Sequence, residues 1–286
     1  ELLELVKDYD GMIVRSGTKV TLEVVKAAKK MKVIARAGAG YNNIDVEACS
    51  EHKIAVLITP AGNTNAVVEL TMGLILSAVR FIPKANQTLK SGKWEKKKLK
   101  GSEIKGKIIG LLGIGRIGSE VAKRSKVFGM KVIAFDKYVS QEYANQIGVQ
   151  LYENFDKFLR EVDFLSLHVP INDSTRGMIG KTQFDIMKET AIIVNCARGA
   201  VIDEKELYHA LKAKKIGGAC IDVYSEEPAT PEKFPFIELE NVICTPHLGA
   251  NTKEAQVNVA ALAADQIGQL LNENKYIDCV NQKDLD

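Results

Sequence analysis

The sequence has few features of a secreted, metal-binding or membrane protein. It contains five cysteines in 286 residues, none in a CxxC pair, so neither a zinc site nor a disulfide framework is expected. Its longest apolar stretches, such as Leu70–Val79, fall short of the roughly 18 residues that a membrane span requires. We therefore predict no metal site and no signal peptide, and expect reduced thiols in a cytoplasmic protein. The cysteines are Cys49, Cys196, Cys220, Cys244 and Cys279.

An excess of charge of one sign is also missing. The formal net charge is +3, so the composition requires neither a nucleic acid nor a membrane surface as partner. One basic cluster, Lys93–Lys100 around Trp94, can be a solvated loop. The chain does have length and apolar content, since 286 residues that are 46% hydrophobic predict two domains with sizeable cores. It begins at Glu1 without a methionine, from which we expect that an upstream strand is missing.

The most informative segment is 107–136, KIIGLLGIGRIGSEVAKRSKVFGMKVIAFD. The apolar run Ile108–Leu112 predicts a buried strand, and a G-x-G-x-x-G pattern separates it from a predicted helix, Ser119–Phe128. A second strand, Lys131–Phe135, ends at Asp136. This is the pattern of a βαβ unit that binds a dinucleotide, with the pyrophosphate at the helix N-terminus. The glycines of the pattern are Gly113, Gly115 and Gly118.

Asp136 distinguishes between the two nicotinamide cofactors. Its carboxylate can accept hydrogen bonds from the ribose hydroxyls of NAD and repels the 2′-phosphate of NADP, so NAD is expected. The neighbouring Lys137 slightly weakens that preference. The alternative interpretation of the segment is a glycine-rich turn in an ordinary α/β fold.

Strand and helix patterns alternate along most of the chain, which predicts an α/β protein with two Rossmann-like domains. Each domain is expected to be a parallel sheet flanked by helices, with an active-site cleft between the domains. We assign residues 1–59 and 251–286 to a discontinuous substrate-binding domain, and residues 60–250 to an NAD-binding domain. This division expects the C-terminal helix Thr252–Leu271 to pack on the first domain.

Three polar motifs follow predicted strands in the second half of the chain, and they place Arg198, Glu227 and His247 after those strands. Because open α/β sheets bind ligands at the carboxyl ends of their strands, we expect these side chains to lie together. Their types suit hydride transfer at a 2-hydroxy acid. His247 can take the hydroxyl proton, Glu227 can fix the tautomer of the ring, and Arg198 can bind the substrate carboxylate.

Each of these residues also has an ordinary interpretation, as a surface ion pair for Arg198 or a packed or capping residue for His247. His168 competes for the role of base, but its place at a strand end favours a structural or cofactor-contacting role. His52 and His209 lie on predicted helices and are expected at the surface.

Together, the motifs GLLGIGRIG, NCARGAVIDEKEL, DVYSEEP and TPHLGANTKEAQ resemble those of the D-isomer-specific 2-hydroxyacid dehydrogenases, nearly over the whole chain. The stretches RAGAGYNNID and SGKWEKKKLKGSEIKGK are most similar to the members that oxidise 3-phosphoglycerate. The resemblance implies NAD-dependent oxidation of 3-phospho-D-glycerate to 3-phosphohydroxypyruvate, the first step of serine biosynthesis. Two alternatives stay open: a reductase for glyoxylate, hydroxypyruvate or another 2-keto acid, and an NAD-sensing corepressor that acts by binding partners.

The resemblance also implies residue roles. It assigns catalysis to Arg198, Glu227 and His247, and it implies that Asp222 binds the nicotinamide carboxamide. Ala39 stands where relatives often have threonine, so one hydroxyl contact with the cofactor is absent. Besides the three glycines and Asp136, the matching cofactor positions are Ala39, Arg116, Ile117, His168, Val169, Cys196, Ala197, Arg198, Asp222, His247 and Gly249. The matching substrate positions are Arg15, Arg36, Gly38, Ala39, Gly40, Asn63, Arg198 and His247.

Two further expectations concern charge and assembly. A phosphorylated acid carries about three negative charges, which Arg15 and Arg36 could face if they are not simply solvated. The lysine-rich segment resembles the part of the family that reaches a partner subunit. We therefore expect a homodimer or homotetramer in which Trp94 is the anchor and Lys96 or Lys97 adds positive charge to the neighbouring site.

Overall fold

The computed structural model describes residues 1–285, so Asp286, the last residue of the expected substrate-binding domain, lies outside the described residues. The chain divides into two compact units. The first unit contains residues 1–66 and the chain from residue 250 onward, and the second contains residues 67–249. The first boundary falls within a helix, Thr64–Val79, and not at Pro60, because this helix packs into the core of the second unit from Val67 onward.

The first unit is built on a parallel sheet of three strands, ordered as they occur in the chain: β1 (Gly11–Val14), β2 (Val33–Arg36) and β3 (Ala55–Ile58). Successive residues of a strand point to opposite faces, so Ile34 packs against two of the short helices, while Val33 faces the other way. The short helices are α1 (Leu2–Leu5), α2 (Leu22–Ala27) and α3 (Val46–Glu51).

The opposite face of this sheet is covered by a long helix near the C-terminus, Lys253–Glu273. Thr252 caps the helix, since its hydroxyl oxygen accepts a hydrogen bond of 3.1 Å from the N–H of Ala255. Gly62 allows a close approach, because a Cβ there would lie 2.8 Å from a methyl carbon of Val259. The apolar contact is made by Val33, Ala35 and Leu57 in the sheet and by Val259, Ala263 and Leu270 in the helix.

The second unit is built on a parallel sheet of seven strands. In chain order these are β4 (Ile108–Leu112), β5 (Lys131–Phe135), β6 (Gln150–Leu151), β7 (Phe164–Leu167), β8 (Ile192–Asn195), β9 (Gly218–Ile221) and β10 (Val242–Cys244). Their order in the sheet is β10-β9-β8-β7-β4-β5-β6, so the chain reverses its direction of growth between β4 and β7. Ligands of open α/β sheets bind at such a switch point.

Helices cover both faces of the second sheet. Ile109 and Leu111 of β4 pack among residues of α4 and α6, whereas Leu112 packs with α8, α9 and α10. The helices are α4 (Thr64–Val79), α5 (Ile82–Lys90), α6 (Arg116–Val127), α7 (Gln141–Gln146), α8 (Phe155–Glu161), α9 (Lys181–Ile186) and α10 (Glu204–Lys212), and the long C-terminal helix Lys253–Glu273 is α11.

The helices were also compared with the length and apolar character that a membrane span requires. Within residues 1–285, no helix taken alone has the length and apolar character of a membrane span, and α4 with α5 reaches them only as a pair bent by 63°.

Most element bounds agree with the sequence patterns to within a few residues, and the differences have local causes. Helix α6 begins at Arg116 and not at Ser119, because Gly115 is already its N-cap. The pattern of residues 22–30 predicts a helix through Lys30, but α2 ends at Ala27, because Ala28 has a non-helical ψ of 60°. The sequence pattern does not predict the two short helices α1 and α7, because neither segment is long enough to show an apolar period.

Candidate active site

The glycine loop between β4 and α6 has the shape that a dinucleotide requires. Gly113 has a φ of +92°, and a Cβ there would lie 2.8 Å from the carbonyl oxygen of His168. A Cβ on Gly118 would lie 2.2 Å from the carbonyl oxygen of Gly113, so helix and loop touch. Gly115 is exposed and a Cβ on it would meet nothing within 4 Å. Its open side, beside the N-terminus of α6, fits a pyrophosphate group.

Asp136 is held beside this loop. Its Oδ2 accepts a hydrogen bond of 2.9 Å from the N–H of Ile114, and its Oδ1 accepts one of 2.9 Å from the N–H of Tyr138. The carboxylate is therefore fixed at the end of β5, next to the glycine loop, where the ribose of NAD is expected. Lys137, next to it, is exposed.

His168 lies at the end of β7, where its ring nitrogen Nε2 is 2.9 Å from the hydroxyl oxygen of Ser166. Burial lowers the pKa of His168 to about 4. A ring that stays neutral and bonded to Ser166 supports the wall beneath the glycine loop, and its contact with the cofactor stays a prediction. Of the other three histidines, His52 and His209 are exposed, as expected.

His247 and Glu227 form a hydrogen-bonded pair. Nδ1 of His247 lies 2.8 Å from Oε2 of Glu227, and both side chains are partly exposed, at 51% and 39%. Glu227 is also oriented by the N–H of Tyr224, which donates to Oε1 at 3.3 Å. The pair lines a cavity of about 580 Å³, so a small molecule can reach it. The remaining walls are Tyr224, Pro228, Ala229, Ile237, Cys244, Thr245 and Pro246.

The loop that carries His247 is fixed by Asp222, which is fully buried. Oδ1 of Asp222 accepts hydrogen bonds from the N–H of Leu248 at 2.7 Å and the hydroxyl of Thr245 at 2.6 Å. Oδ2 accepts one from the N–H of Gly249 at 2.9 Å. His247 has a φ of +54°, a conformation that an unsupported residue rarely adopts. No sequence pattern predicts this role of Asp222, and its contact with the nicotinamide carboxamide stays a prediction.

Arg198 lies on the connection that follows β8. The side chain of Asn195 fixes this connection, since its Nδ2 donates to the carbonyl of Arg198 at 2.9 Å and its Oδ1 accepts from the N–H of Ala197 at 3.0 Å. The next residue, Gly199, packs directly on the segment that leads to Glu227. A Cβ on Gly199 would lie 2.0 Å from the carbonyl carbon of Tyr224. The structure therefore brings the connections that carry Arg198 and Glu227 into contact.

The remaining cofactor positions of the second unit follow the strands β4, β7 and β8. Cys196 is buried, and burial raises the pKa of its thiol to about 12, so it has the properties of an inert packing residue. Ile117, Val169 and Ala197 are half-buried, and Arg116 is exposed at the start of α6. Within residues 1–285, no group of three or more His, Cys, Asp or Glu side chains is arranged to hold a metal ion.

The predicted substrate residues of the first unit lie at or just after the ends of β1 and β2, except Asn63, which follows β3. Val14 pairs with Arg36 in the sheet, so Arg15 follows directly beside it. The guanidinium of Arg36 lies over Gly38, where a Cβ would be 1.6 Å from Nη1. The approach is possible because Gly38 has no Cβ, and its φ of +136° also favours glycine. Arg15 is exposed, whereas Ala39, Gly40 and Asn63 are half-buried.

Comparison with known proteins identifies a family and several relatives of this chain. Residues 72–249 match the NAD binding domain of the D-isomer specific 2-hydroxyacid dehydrogenases. The chain is 49% identical over 285 residues to a D-3-phosphoglycerate dehydrogenase of Methanocaldococcus jannaschii, covering 100% of this chain and 54% of the relative. It is 46% identical to a hydroxypyruvate reductase of Thermotoga maritima, covering 93% of this chain and 86% of the relative.

The chain superposes on the crystal structure of a glyoxylate reductase from Paecilomyes thermophila with a TM-score of 0.87. The two sequences are 31% identical, and the match covers 98% of this chain and 88% of that one. The chain spans about half the length of the D-3-phosphoglycerate dehydrogenases that it matches, including the one from Homo sapiens at 42% identity and 53% coverage.

Proposed function

The chain belongs to the D-isomer specific 2-hydroxyacid dehydrogenases and carries their NAD-binding domain, and on that premise we propose that it oxidises 3-phospho-D-glycerate to 3-phosphohydroxypyruvate. The observation that carries the proposal is the hydrogen bond of 2.8 Å between His247 and Glu227. A relative that is 49% identical over the full chain is a D-3-phosphoglycerate dehydrogenase, which supports this choice of substrate.

The pair performs the proton transfer that the oxidation of a hydroxyl requires. Glu227 accepts a hydrogen bond from Nδ1 of His247, which leaves Nε2 unprotonated and able to take the hydroxyl proton of the substrate. The resulting imidazolium is stabilised by the same carboxylate. In the reverse direction His247 returns the proton to the carbonyl oxygen. When bound, NAD supplies the acceptor for the hydride.

Arg198 has the complementary task of binding the substrate carboxylate. Its guanidinium is planar and always charged, so it can hold a carboxylate through two parallel hydrogen bonds. The fixed backbone around it, held by Asn195, reduces the entropy that is lost when the substrate binds.

The charge of the first unit suits a phosphorylated acid. Arg36 and Arg15 occupy neighbouring positions at the ends of β2 and β1, and the glycine turn Gly38–Gly40 follows β2 beside them. 3-Phosphoglycerate carries about three negative charges at neutral pH, so we assign it the phosphate and carboxylate contacts predicted for these residues.

One kinetic comparison tests the substrate. We expect kcat/KM with NAD to be at least about a hundredfold higher for 3-phosphoglycerate than for D-glycerate, because several charge-assisted hydrogen bonds depend on the phosphate. Arg36→Gln should remove most of that ratio and leave the activity with D-glycerate unchanged. Equal values for the two substrates would contradict the proposal.

Such equality would favour the second candidate, reduction of hydroxypyruvate or glyoxylate. The 46% identity to a hydroxypyruvate reductase supports that alternative. Measuring the reductase reaction with NADH in the same preparation distinguishes the two, since this candidate expects reduction of unphosphorylated keto acids to be the faster reaction.

We also propose that the protein forms a homodimer or homotetramer. Trp94 is 80% exposed and stands among lysines, of which Lys96 and Lys97 are exposed too. Large exposed aromatic side chains are typical anchors of interfaces. Light scattering should give a dimeric or larger mass for the protein and a smaller one for Trp94→Ala, with Tyr138→Ala, an equally exposed aromatic, as control.

A further inference from the structure

Glu204 makes two hydrogen bonds to Ser225. Oε1 of Glu204 accepts a bond of 2.9 Å from the backbone N–H of Ser225, and Oε2 accepts the hydroxyl hydrogen of Ser225. Glu204 is the first residue of α10 and is half-buried, whereas Ser225 lies on the exposed loop after β9. A partly desolvated carboxylate makes stronger hydrogen bonds than an exposed one, so these bonds hold the loop to the helix.

Ser225 lies two residues before Glu227. The residue before it, Tyr224, donates its N–H to Oε1 of Glu227. A displacement of Ser225 would therefore move both the backbone that carries Glu227 and the donor that orients its carboxylate. Since Oε2 of the same carboxylate is the partner of His247, the orientation of the imidazole depends on where this segment lies.

The segment has other anchors, and its start is held by the Tyr224 hydroxyl, which donates to the carbonyl oxygens of Thr245 at 3.1 Å and Ile221 at 3.3 Å. Glu226 pairs with Lys233, but both side chains are largely exposed, and such a pair contributes little. Gly199 packs against Tyr224 from the other side and excludes a shift only in that direction. Glu204 differs from these anchors in binding the backbone N–H of Ser225, between Tyr224 and Glu227, from a separate helix.

The ordinary explanation for an acidic residue in the first turn of a helix is the stability of the helix. In α10 that task is already done by Asp203, whose Oδ1 accepts hydrogen bonds from the N–H groups of Lys205 and Glu206, both at 3.1 Å. Glu206 adds a further negative charge to the same turn. The side chain of Glu204 points to Ser225 instead of to the end of its own helix.

We propose that Glu204 is a positioning residue, which acts through Ser225 to hold Glu227 in the orientation that fixes the tautomer of His247. The chain between β8 and α10 then serves both parts of the site. It carries Arg198 near its start, and it ends at Glu204, which holds the acid–base pair in position. The inference rests on the proposed function in taking His247 as the base.

Four variants of the full chain test it, with steady-state kinetics and ¹⁵N NMR of the imidazole nitrogens, whose signals report which nitrogen carries the proton. The signals of His247 are assigned by their loss in His247→Gln. For Glu204→Ala we expect kcat to fall about ten- to hundredfold with KM changed less than about threefold, because charge-assisted hydrogen bonds are lost. The His247 signals should shift from the Nδ1–H tautomer toward a mixture.

Glu204→Gln keeps an acceptor for the N–H of Ser225 and should restore kcat to within about threefold of the wild type. Ser225→Ala removes only the hydroxyl bond and should have a smaller effect, which does not add to that of Glu204→Ala. The control is Glu206→Gln, which removes a charge from the same helical turn without touching Ser225, and should leave both readouts unchanged.

Wild-type kcat and wild-type His247 signals in Glu204→Ala would overturn the inference. So would equal losses in Glu204→Ala and Glu206→Gln, because the effect would then come from the helix. If Glu204→Ala does not fold, unchanged kinetics and signals in Ser225→Ala would count against it. A wild-type protein that does not oxidise 3-phosphoglycerate would refute the proposed function only, since the NMR signals need no substrate.

Discussion

The N–H of Leu248 donates a hydrogen bond of 2.7 Å to Oδ1 of Asp222, a side chain without solvent-accessible surface. Together with the N–H of Gly249 and the hydroxyl of Thr245, this bond connects the end of β9 to the loop that carries His247. The left-handed conformation of His247 is therefore maintained by a carboxylate from a different strand. The geometry of the acid–base pair depends on this contact as much as on the pair itself.

Replacing that carboxylate by an amide should loosen the loop. In Asp222→Asn one acceptor becomes an NH₂ group, which cannot accept the N–H of Gly249. We expect the free energy of unfolding to fall by about 1–3 kcal/mol, together with a lower kcat. Urea denaturation and steady-state kinetics measure the two effects. Asp203→Asn is the control, because asparagine caps a helix about as well as aspartate. Equally small changes in both variants would contradict the role of Asp222.

Two glycines of the NAD loop should respond differently to the same substitution. The space beside Gly115 is open and its φ is −70°, so Gly115→Ala should keep the stability of the wild type. The new methyl group would occupy the path of the pyrophosphate, and the Kd for NADH should rise by about tenfold or more, which is ~1.4 kcal/mol.

Gly118→Ala should instead destabilise the fold by about 1–3 kcal/mol, because its Cβ would lie 2.2 Å from the carbonyl oxygen of Gly113. Thermal unfolding and NADH fluorescence titration separate the two effects. A stable Gly118→Ala that binds NADH normally would contradict the close approach of helix and loop.

Removal of the proposed base should affect turnover and not cofactor affinity. For His247→Ala we expect kcat to fall by about 10²–10⁴, the range of general acid–base catalysis, while the Kd for NADH stays within about threefold of the wild type. His209→Ala, which removes an exposed histidine of α10, is the matched control. Near wild-type turnover in His247→Ala would exclude it as the base.

His168 should make stability depend on pH. Burial lowers the pKa of His168 to about 4 in the folded protein, from an ordinary value of 6.5. Between these values the unfolded chain binds a proton that the folded protein does not, so the free energy of unfolding should fall as the pH is lowered from 6.5 to 4. In His168→Gln this part of the pH dependence should disappear. Denaturation curves measured at several pH values test it, and identical slopes for the two proteins would contradict a buried, neutral imidazole.

The fold could be predicted from the sequence wherever apolar periodicity was strong. The buried strands β4 and β5 have the bounds that their apolar patterns indicate. The short helices α1 and α7 could not be predicted, because a single turn or two carries too little periodicity to separate it from a loop. The helix start at Arg116 depends on the backbone of Gly115, which the residue types do not specify.

The part of the site that depends on residue types and their positions after strands could be predicted. The types of Glu227 and His247 and their places after strands indicated a pair, and the structure places their polar atoms 2.8 Å apart. The roles of Asp222 and Glu204 could not be predicted, since they depend on which backbone N–H groups two loops turn toward these carboxylates. The catalytic and substrate roles, the assembly and the location of the protein stay predictions.

The discontinuous first unit sets an order of events during synthesis. Its strands β1–β3 leave the ribosome early, but α11, which covers one face of their sheet, is made only after the whole second unit. Residues 67–249 are contiguous and contain their own core, so they can fold as they emerge. The nascent chain therefore exposes the apolar face of the small sheet until α11 has been made, and a chaperone can bind this face during that interval.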